Sequence, residues 1–349
     1  MTQARGNGAS GIDEVIHLLL QRGEPGRLVK EEADALRART FGDSVHLRGI
    51  IEISNRCSKN CAYCGIRAGN SAVQRYTMAE DEIVAAARAA ALGGCQTIVL
   101  QSGEPPAMGD AALERVIGRI DQECGVAITV SCGVRPEEVY AAWRAAGMRR
   151  YLLRFETSDP DLFTRLHPDA TLTERLAALE TLRGLGVQVG SGFLIGVPGE
   201  EVETLARNIL LCRDLDLDMI GVGPFIAHGG TPLAGVPNRW ADDPEMYFMV
   251  VAVLRLVQER AHIPATTAYD ALFPRDGRER LLRCGANVFM PNVTPQPYRA
   301  AYQLYPGKPC TDEASGACLG CARLRIEALG LRIAEGAGDA VTGGHEWRS

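Results

Sequence analysis

"QTIVLQSGEPPAMGDAALERVIGRIDQECGVAITVSC", residues 96–132, passes from a β-rich run through a Gly- and Pro-bearing loop and an amphipathic stretch into a second β-rich run. A strand, a crossover helix and a second strand account for that order, and such a unit places its two strands parallel. The same order recurs in both directions. Upstream, "HLRGIIEIS" precedes "AEDEIVAAARAAALGG". Downstream, "VAITVSC" precedes "PEEVYAAWRAAG", "RRYLLRFE" precedes "LTERLAALETLRGLG", and "VQVGSGFLIG" precedes "EEVETLARNILLCRDL". "DMIGVGPF" then precedes "PEMYFMVVAVLRLVQERA", "IPATTA" precedes "GRERLLRCG", and "ANVFMP" precedes a last segment ending "CARLRIEALG". Several of these helices close on glycine, the usual C-terminal cap, as in "ALGG", "RAAG", "RGLG" and "LRCG". Eight such units predict an α/β chain folded as a closed (β/α)8 TIM-type barrel. An open doubly wound sheet would carry a G-x-G-x-x-G after its first strand, and none follows "GIIEIS".

Outside the repeat, "IDEVIHLLL" and "EEADALRART" have helical spacing. Residues 1–45 are therefore expected to be a helical lead-in, 46–330 the barrel with its C-terminal extension, and 331–349 a disordered tail, Gly-rich and aperiodic. The 349 residues, 46% of them hydrophobic, suffice for one large core. A net charge of −6 with no long basic run leaves no electrostatic footprint for nucleic acid, which favours a small-molecule substrate. No apolar run approaches the roughly 18 residues of a membrane span, and the N-terminus lacks the pattern of a signal peptide. A cytoplasmic protein with no membrane partner is expected.

Eleven cysteines are many for a reducing compartment, and an odd number cannot complete a disulfide framework. Cys95, Cys124, Cys132, Cys212 and Cys284 lie singly among apolar residues, as core cysteines do. The other six form two tight groups. Cys57, Cys61 and Cys64, spaced C-x3-C-x2-C in "RCSKNCAYCG", fall in the loop after the first strand, at the face where barrel enzymes do their chemistry. Three thiolates there can hold three irons of a cubane [4Fe-4S] cluster and leave the fourth open to a small ligand. A structural zinc ion would want a fourth ligand, which is not close in sequence. A chance gathering of loop cysteines is the remaining alternative. Cys310, Cys318 and Cys321 make a C-x7-C-x2-C group, suited to a second Fe-S cluster or, with one outside ligand, to zinc.

The first trio, with Tyr63 before its last cysteine and a barrel strand before it, resembles the signature of the radical S-adenosylmethionine (SAM) enzymes. That resemblance implies Cys57, Cys61 and Cys64 as cluster ligands and SAM as co-substrate on the open iron. It also implies reductive cleavage to a 5'-deoxyadenosyl radical, with a reductant such as ferredoxin or flavodoxin. "QSGE", Gln101, Ser102, Gly103 and Glu104, is similar to the loop that receives the SAM amino group, with Ser where Gly is common. In "RFET", Arg154 and Glu156 alternate and so point to one side, and Arg175 is available to pair with Glu156. The family assigns Ser131, Glu156 and Arg175 to SAM, and a structural salt bridge is the competing account of the charged pair.

Further stretches resemble one branch, that of the [FeFe]-hydrogenase maturases of HydE type, beside biotin synthase and methylornithine synthase. They are "RFETSDPDLFTRLHP", "GPFIAHGGTPLA", "IPATTA" and "CGANVFMPNVTPQPYRAAYQLYPGKPC". The branch implies an iron carbonyl-cyanide-cysteine substrate on the way to the diiron subcluster, and transient contact with other maturases. Arg154, Thr266, Thr267 and Met290 would line its cavity, with Tyr302 on the cofactor side. His228 in the sixth loop is either a ligand contact or a solvated residue. The second trio matches an auxiliary cluster found in some members, which we expect the radical chemistry not to require. A related enzyme acting on an amino acid or thiol-containing small molecule, and a non-catalytic iron-sulfur carrier, are the alternative readings.

Overall fold

A computed structural model describes residues 11–311 and 315–340. Eight parallel strands form the barrel: β1 Ser44–Ser54, β2 Thr97–Ser102, β3 Ala127–Ser131, β4 Met148–Leu152, β5 Gln188–Ser191, β6 Met219–Ile220, β7 Pro264–Ala265 and β8 Val288–Phe289. Each pairs with the next in chain order, and β8 returns to β1 through His46↔Val288 and Leu47↔Phe289. Between β6 and β7 the ring closes on a single parallel bridge, Met219↔His262, in which the Ile220 amide donates to the His262 carbonyl at 2.9 Å. The strand-then-helix order of the sequence thus becomes a ring of parallel strands inside helices. Above β5 and β6 a second short pair, Leu194–Ile195 with Gly223–Pro224, prolongs the wall toward the open mouth. That step depends on Gly192, whose φ is +145° and where a Cβ would stand 2.0 Å from the Gly221 carbonyl oxygen.

The lead-in is two helices, Ile12–Leu19 and Gly23–Phe41. The second starts well before "EEADALRART", because Pro25 and Gly26 sit in its first turn, where proline's missing N–H removes no helical bond. Gly23–Phe41 packs on the barrel helix Glu245–Val257. This explains why "EMYFMVVAVLRLV" is apolar all round, since one face meets the barrel and the other is roofed by the lead-in.

The expectation of a disordered C-terminal tail needs correction for residues 331–340, while 341–349 lie outside the described residues. Arg332–Ile333 pairs with the start of β1, and the chain then crosses the barrel floor. Arg150, fully buried, donates there to the Ala337 carbonyl at 2.9 Å and ion-pairs with Asp339, while Arg48 donates to the Gly338 carbonyl at 3.0 Å. Buried guanidinium groups need acceptors, and this Gly-rich segment supplies carbonyls that a bulkier one could not bring so close. Asp339→Ala is expected to lower stability by about 1–2 kcal/mol, less than the loss of a fully buried partner because Asp339 is partly solvated. The urea midpoint measures this, and an unmoved midpoint would mean that the segment merely rests on the floor.

Candidate functional site

The cysteine loop follows β1 and is fixed by buried polar groups before any ligand is considered. Asn55, fully buried, donates to the carbonyls of Gln74 (2.8 Å) and Ala301 (2.7 Å) and accepts from the Tyr76 amide (2.8 Å). Arg75 donates to the carbonyls of Asn55, Ile66 and Arg67, each at 2.6 Å, so one planar guanidinium gathers the start and middle of the loop. From the next strand end, Gly103 comes so close that a Cβ would lie 2.2 Å from the Arg56 carbonyl oxygen and 2.7 Å from the Cys57 Cβ. Only glycine fits there. The residue of "QSGE" that matters locally is therefore the glycine, and Ser102 merely turns its hydroxyl onto the Gly103 carbonyl at 2.6 Å.

The three thiols are half-buried. Cys57 Sγ accepts from the Glu104 amide at 3.4 Å, and Cys61 Sγ lies 3.2 Å from His167 Nδ1. Burial pushes the Cys64 thiol up to about 12, opposed by a bond from the Ile66 amide, and burial also pushes Cys61 well above the ordinary thiol range. Thiols so shifted are poor nucleophiles at neutral pH. Among the described residues no three His, Cys, Asp or Glu side chains converge on one ion-sized point.

Next to the thiols are buried polar atoms without hydrogen bonds. Glu156 holds a φ of +65°, uncommon for a residue with a Cβ, and its carboxylate is buried. Its Oε2 is 3.1 Å from Arg154 Nη2, an ion-pair distance, yet makes no aligned hydrogen bond. Arg154 Nε, Ser158 Oγ and Arg175 Nε are equally unsatisfied. Buried orphans of both signs are costly, and their presence in the loop after β4 and on the helix Leu172–Gly184 behind it fits a zwitterionic ligand that would pair them. The expected Glu156–Arg175 pair is not formed. Arg154 is the partner of Glu156, while Arg175 donates to the Arg154 carbonyl at 3.1 Å and lies 3.8 Å from Glu104. Glu104 also accepts from the Val134 amide at 3.1 Å, so loops two, three and four are tied through it.

Strand register puts Glu52, Gln101 and Ser131 side by side on β1, β2 and β3. The sequence reading named the last two and missed Glu52, which is 3% exposed and ion-pairs with Lys308. Asn292 donates to the same carboxylate at 3.1 Å, and Lys308 also donates to the carbonyl of Tyr302, a fully buried residue, at 2.8 Å. A carboxylate inside the otherwise apolar "GIIEIS" was the available signal. His167, on the other side of the thiols, was missed as well. His228 lies against the cysteine loop through its own amide, which donates to the Tyr63 carbonyl at 3.0 Å, while its ring accepts from Gly230.

Thr266, Thr267 and Met290 stand half-buried at the ends of β7 and β8. Thr266 donates to the Val222 carbonyl at 2.9 Å, and Thr267 meets the Tyr305 hydroxyl at 3.1 Å. Behind them Arg278, 3% exposed, donates to the carbonyls of Ala265 (2.9 Å) and Met290 (3.1 Å). Burial lowers its pKa to about 10, and Cys310 and Cys318 are among the groups whose charge acts on it. The second trio is thus beside the strand ends, with Cys318 buried and Cys321 exposed one turn later on the helix Ser315–Glu327. Residues 312–314 of its x7 loop lie outside the described residues. Of the five scattered cysteines, Cys95, Cys132, Cys212 and Cys284 are buried and Cys124 half-buried, as core packing requires.

Residues 51–212 match the family model of the radical SAM superfamily. The chain is 47% identical to the [FeFe] hydrogenase maturase subunit HydE of Thermotoga maritima over 86% of its own length and 85% of that protein. It is 27% identical to 3-methylornithine synthase of Methanosarcina acetivorans, over 73% of the chain and 71% of that protein. Among solved structures, methylornithine synthase PylB superposes with a TM-score of 0.82 at 24% identity, covering 94% of this chain and 95% of that one. The maturase HydG of Carboxydothermus hydrogenoformans gives 0.77 at 21%, covering 91% and 75%. Those two likenesses establish the barrel.

Proposed function

Because the chain belongs to the radical SAM superfamily, and within it to the HydE group, we propose that it processes a cysteine-bearing iron carbonyl-cyanide complex for the [FeFe]-hydrogenase diiron subcluster. In this reading Cys57, Cys61 and Cys64 hold a [4Fe-4S] cluster, and Gln101, Ser102, Gly103, Glu104, Ser131, Glu156, Arg175 and Tyr302 surround SAM. When bound, the cluster and SAM together supply a one-electron reductive cleavage and a carbon radical.

The chain's own residues do the rest. The Gly103 approach lets backbone of the second loop reach the cysteine loop, so a cluster held by the three thiols would sit against packed backbone that keeps water away. Glu156 and Arg154 present one negative and one positive group at the same edge, which orients an amino acid moiety by its two ends. Arg154, Thr266, Thr267 and Met290 face the substrate. Arg278 holds the last two strand ends at a common level, so the cavity wall is set before substrate arrives. The second trio is assigned to an auxiliary Fe-S cluster. A small reductant protein delivers the electron, and another maturase hands over the substrate.

The observation that carries the assignment is the 47% identity to the Thermotoga HydE across 86% of the chain. An electron carrier would not explain strained, unpaired polar groups beside the thiols. The test supplies reconstituted protein with SAM, dithionite and a synthetic iron carbonyl-cyanide-cysteine complex, and quantifies 5'-deoxyadenosine against assays with lysine or dethiobiotin. Stimulation by the iron complex alone is expected. Stimulation by an amino acid or dethiobiotin would instead assign the chain to the neighbouring branch.

A further inference from the structure

His167 follows the helix Pro160–Leu166, whose end holds the cysteine loop through the Ala62 amide donating to the Leu166 carbonyl at 2.8 Å. Its ring is 4% exposed and is fixed on both faces of its chemistry. Nδ1 lies 3.2 Å from Cys61 Sγ, and Nε2 lies 3.4 Å from the Tyr63 hydroxyl. The imidazole stacks on Phe163 at 4.7 Å between centroids and meets Tyr63 edge-on at 5.6 Å, so rotation of the ring is blocked. A phenol facing an imidazole nitrogen donates readily. With Tyr63 donating to Nε2, the imidazole N–H is left on Nδ1 and points at Cys61 sulfur.

We propose that the chain Tyr63–His167–Cys61 is a built outer-shell device: His167 is a positioning residue that donates a hydrogen bond to the Cys61 sulfur and thereby sets the potential of the cluster. The inference rests on the reading of the trio as cluster ligands. A donor at a ligating sulfur draws off negative charge and so favours the reduced, more electron-rich cluster, which raises the reduction potential. Of the three sulfurs Cys61 alone is shown with a ring nitrogen, whereas Cys57 is met by the Glu104 amide. The donor therefore enters through one ligand, and the potential it sets is that of the whole cluster.

The test reads the reconstituted, SAM-free protein by EPR-monitored redox titration, after iron content has been measured. His167→Leu should lower the midpoint potential and alter the EPR line of the reduced cluster. His167→Asn, whose amide N–H can reach the Nδ1 position, should restore both. His167→Gln, which reaches the Nε2 position instead, should resemble His167→Leu. The Asn and Gln pair decides the matter even if the Leu variant fails to fold, since the two have equal polarity and differ in where the donor sits. Equal potentials in Asn, Gln and parent protein, with iron bound in all three, overturn the proposal alone. Parent protein that binds no iron overturns the cluster reading, and this inference with it.

Discussion

Alanine at Cys57, Cys61 or Cys64 is expected to abolish both the iron of the first site and the cleavage of SAM, whereas Cys318→Ala leaves cleavage near the parent rate. If each first-trio sulfur serves its own iron, as proposed, no neighbour can substitute, and the loss should exceed the roughly 10–100-fold cost of removing an outer-shell partner. The loop itself should survive. Its backbone is held by Asn55 and Arg75, which do not use the thiols as partners. Cys318, by contrast, is on the helix Ser315–Glu327 near Arg278, which fastens the ends of β7 and β8, whereas Glu156 follows β4. Iron per chain, 5'-deoxyadenosine yield and near-UV circular dichroism separate loss of cluster from loss of fold. Equal loss of cleavage in Cys57→Ala and Cys318→Ala would show that the second trio belongs to the radical chemistry.

Lys308→Met is expected to cost about 3–5 kcal/mol of stability, because it strands the Glu52 carboxylate in the barrel without its counter-ion. Both side chains of the pair are almost entirely buried, at 6% and 4% exposure, so solvent cannot compensate. The same lysine donates to the Tyr302 carbonyl and lies 4.9 Å from the Tyr302 ring, so it also fastens the C-terminal segment over β1. Replacing both partners, Glu52→Leu with Lys308→Met, should recover most of the loss. The remainder, about 1–3 kcal/mol, comes from the bonds that Asn292 and the Tyr302 carbonyl then lack. Urea unfolding of the metal-free protein gives all three numbers. A single-variant cost below about 1 kcal/mol would place the pair among solvated surface contacts.

What the sequence made legible follows from which interactions are local. The barrel is written in an eightfold alternation whose signals, apolar β runs and glycine-ended helices, each lie within about fifteen residues. The first trio stands out for the same reason, as its three cysteines share one short loop. Glu52 does not, since its partner Lys308 is 256 positions away and the strand around it is apolar. The Arg175 pairing was misjudged because Arg154 and Glu156 lie past the end of β4, where strand alternation no longer says which of several arginines meets the carboxylate. Glu156 there has a positive φ and meets Arg154. His167 follows a helix with no local pattern to mark it, and only the fold brings it to Cys61. The floor segment was misread on composition. Its glycines suggested disorder, while the groups that order it, Arg48 and Arg150, lie in strands far away in the sequence.

The central claim, that three thiols and a strained polar edge in one barrel mouth make a radical SAM site, is tested most directly by anaerobic reconstitution with iron and sulfide. The protein is then reduced with dithionite, given SAM, and assayed for 5'-deoxyadenosine and methionine. Both products in equal amounts, dependent on the reductant and absent in Cys57→Ala, are the predicted result. An intact [4Fe-4S] cluster that cleaves no SAM would contradict the account.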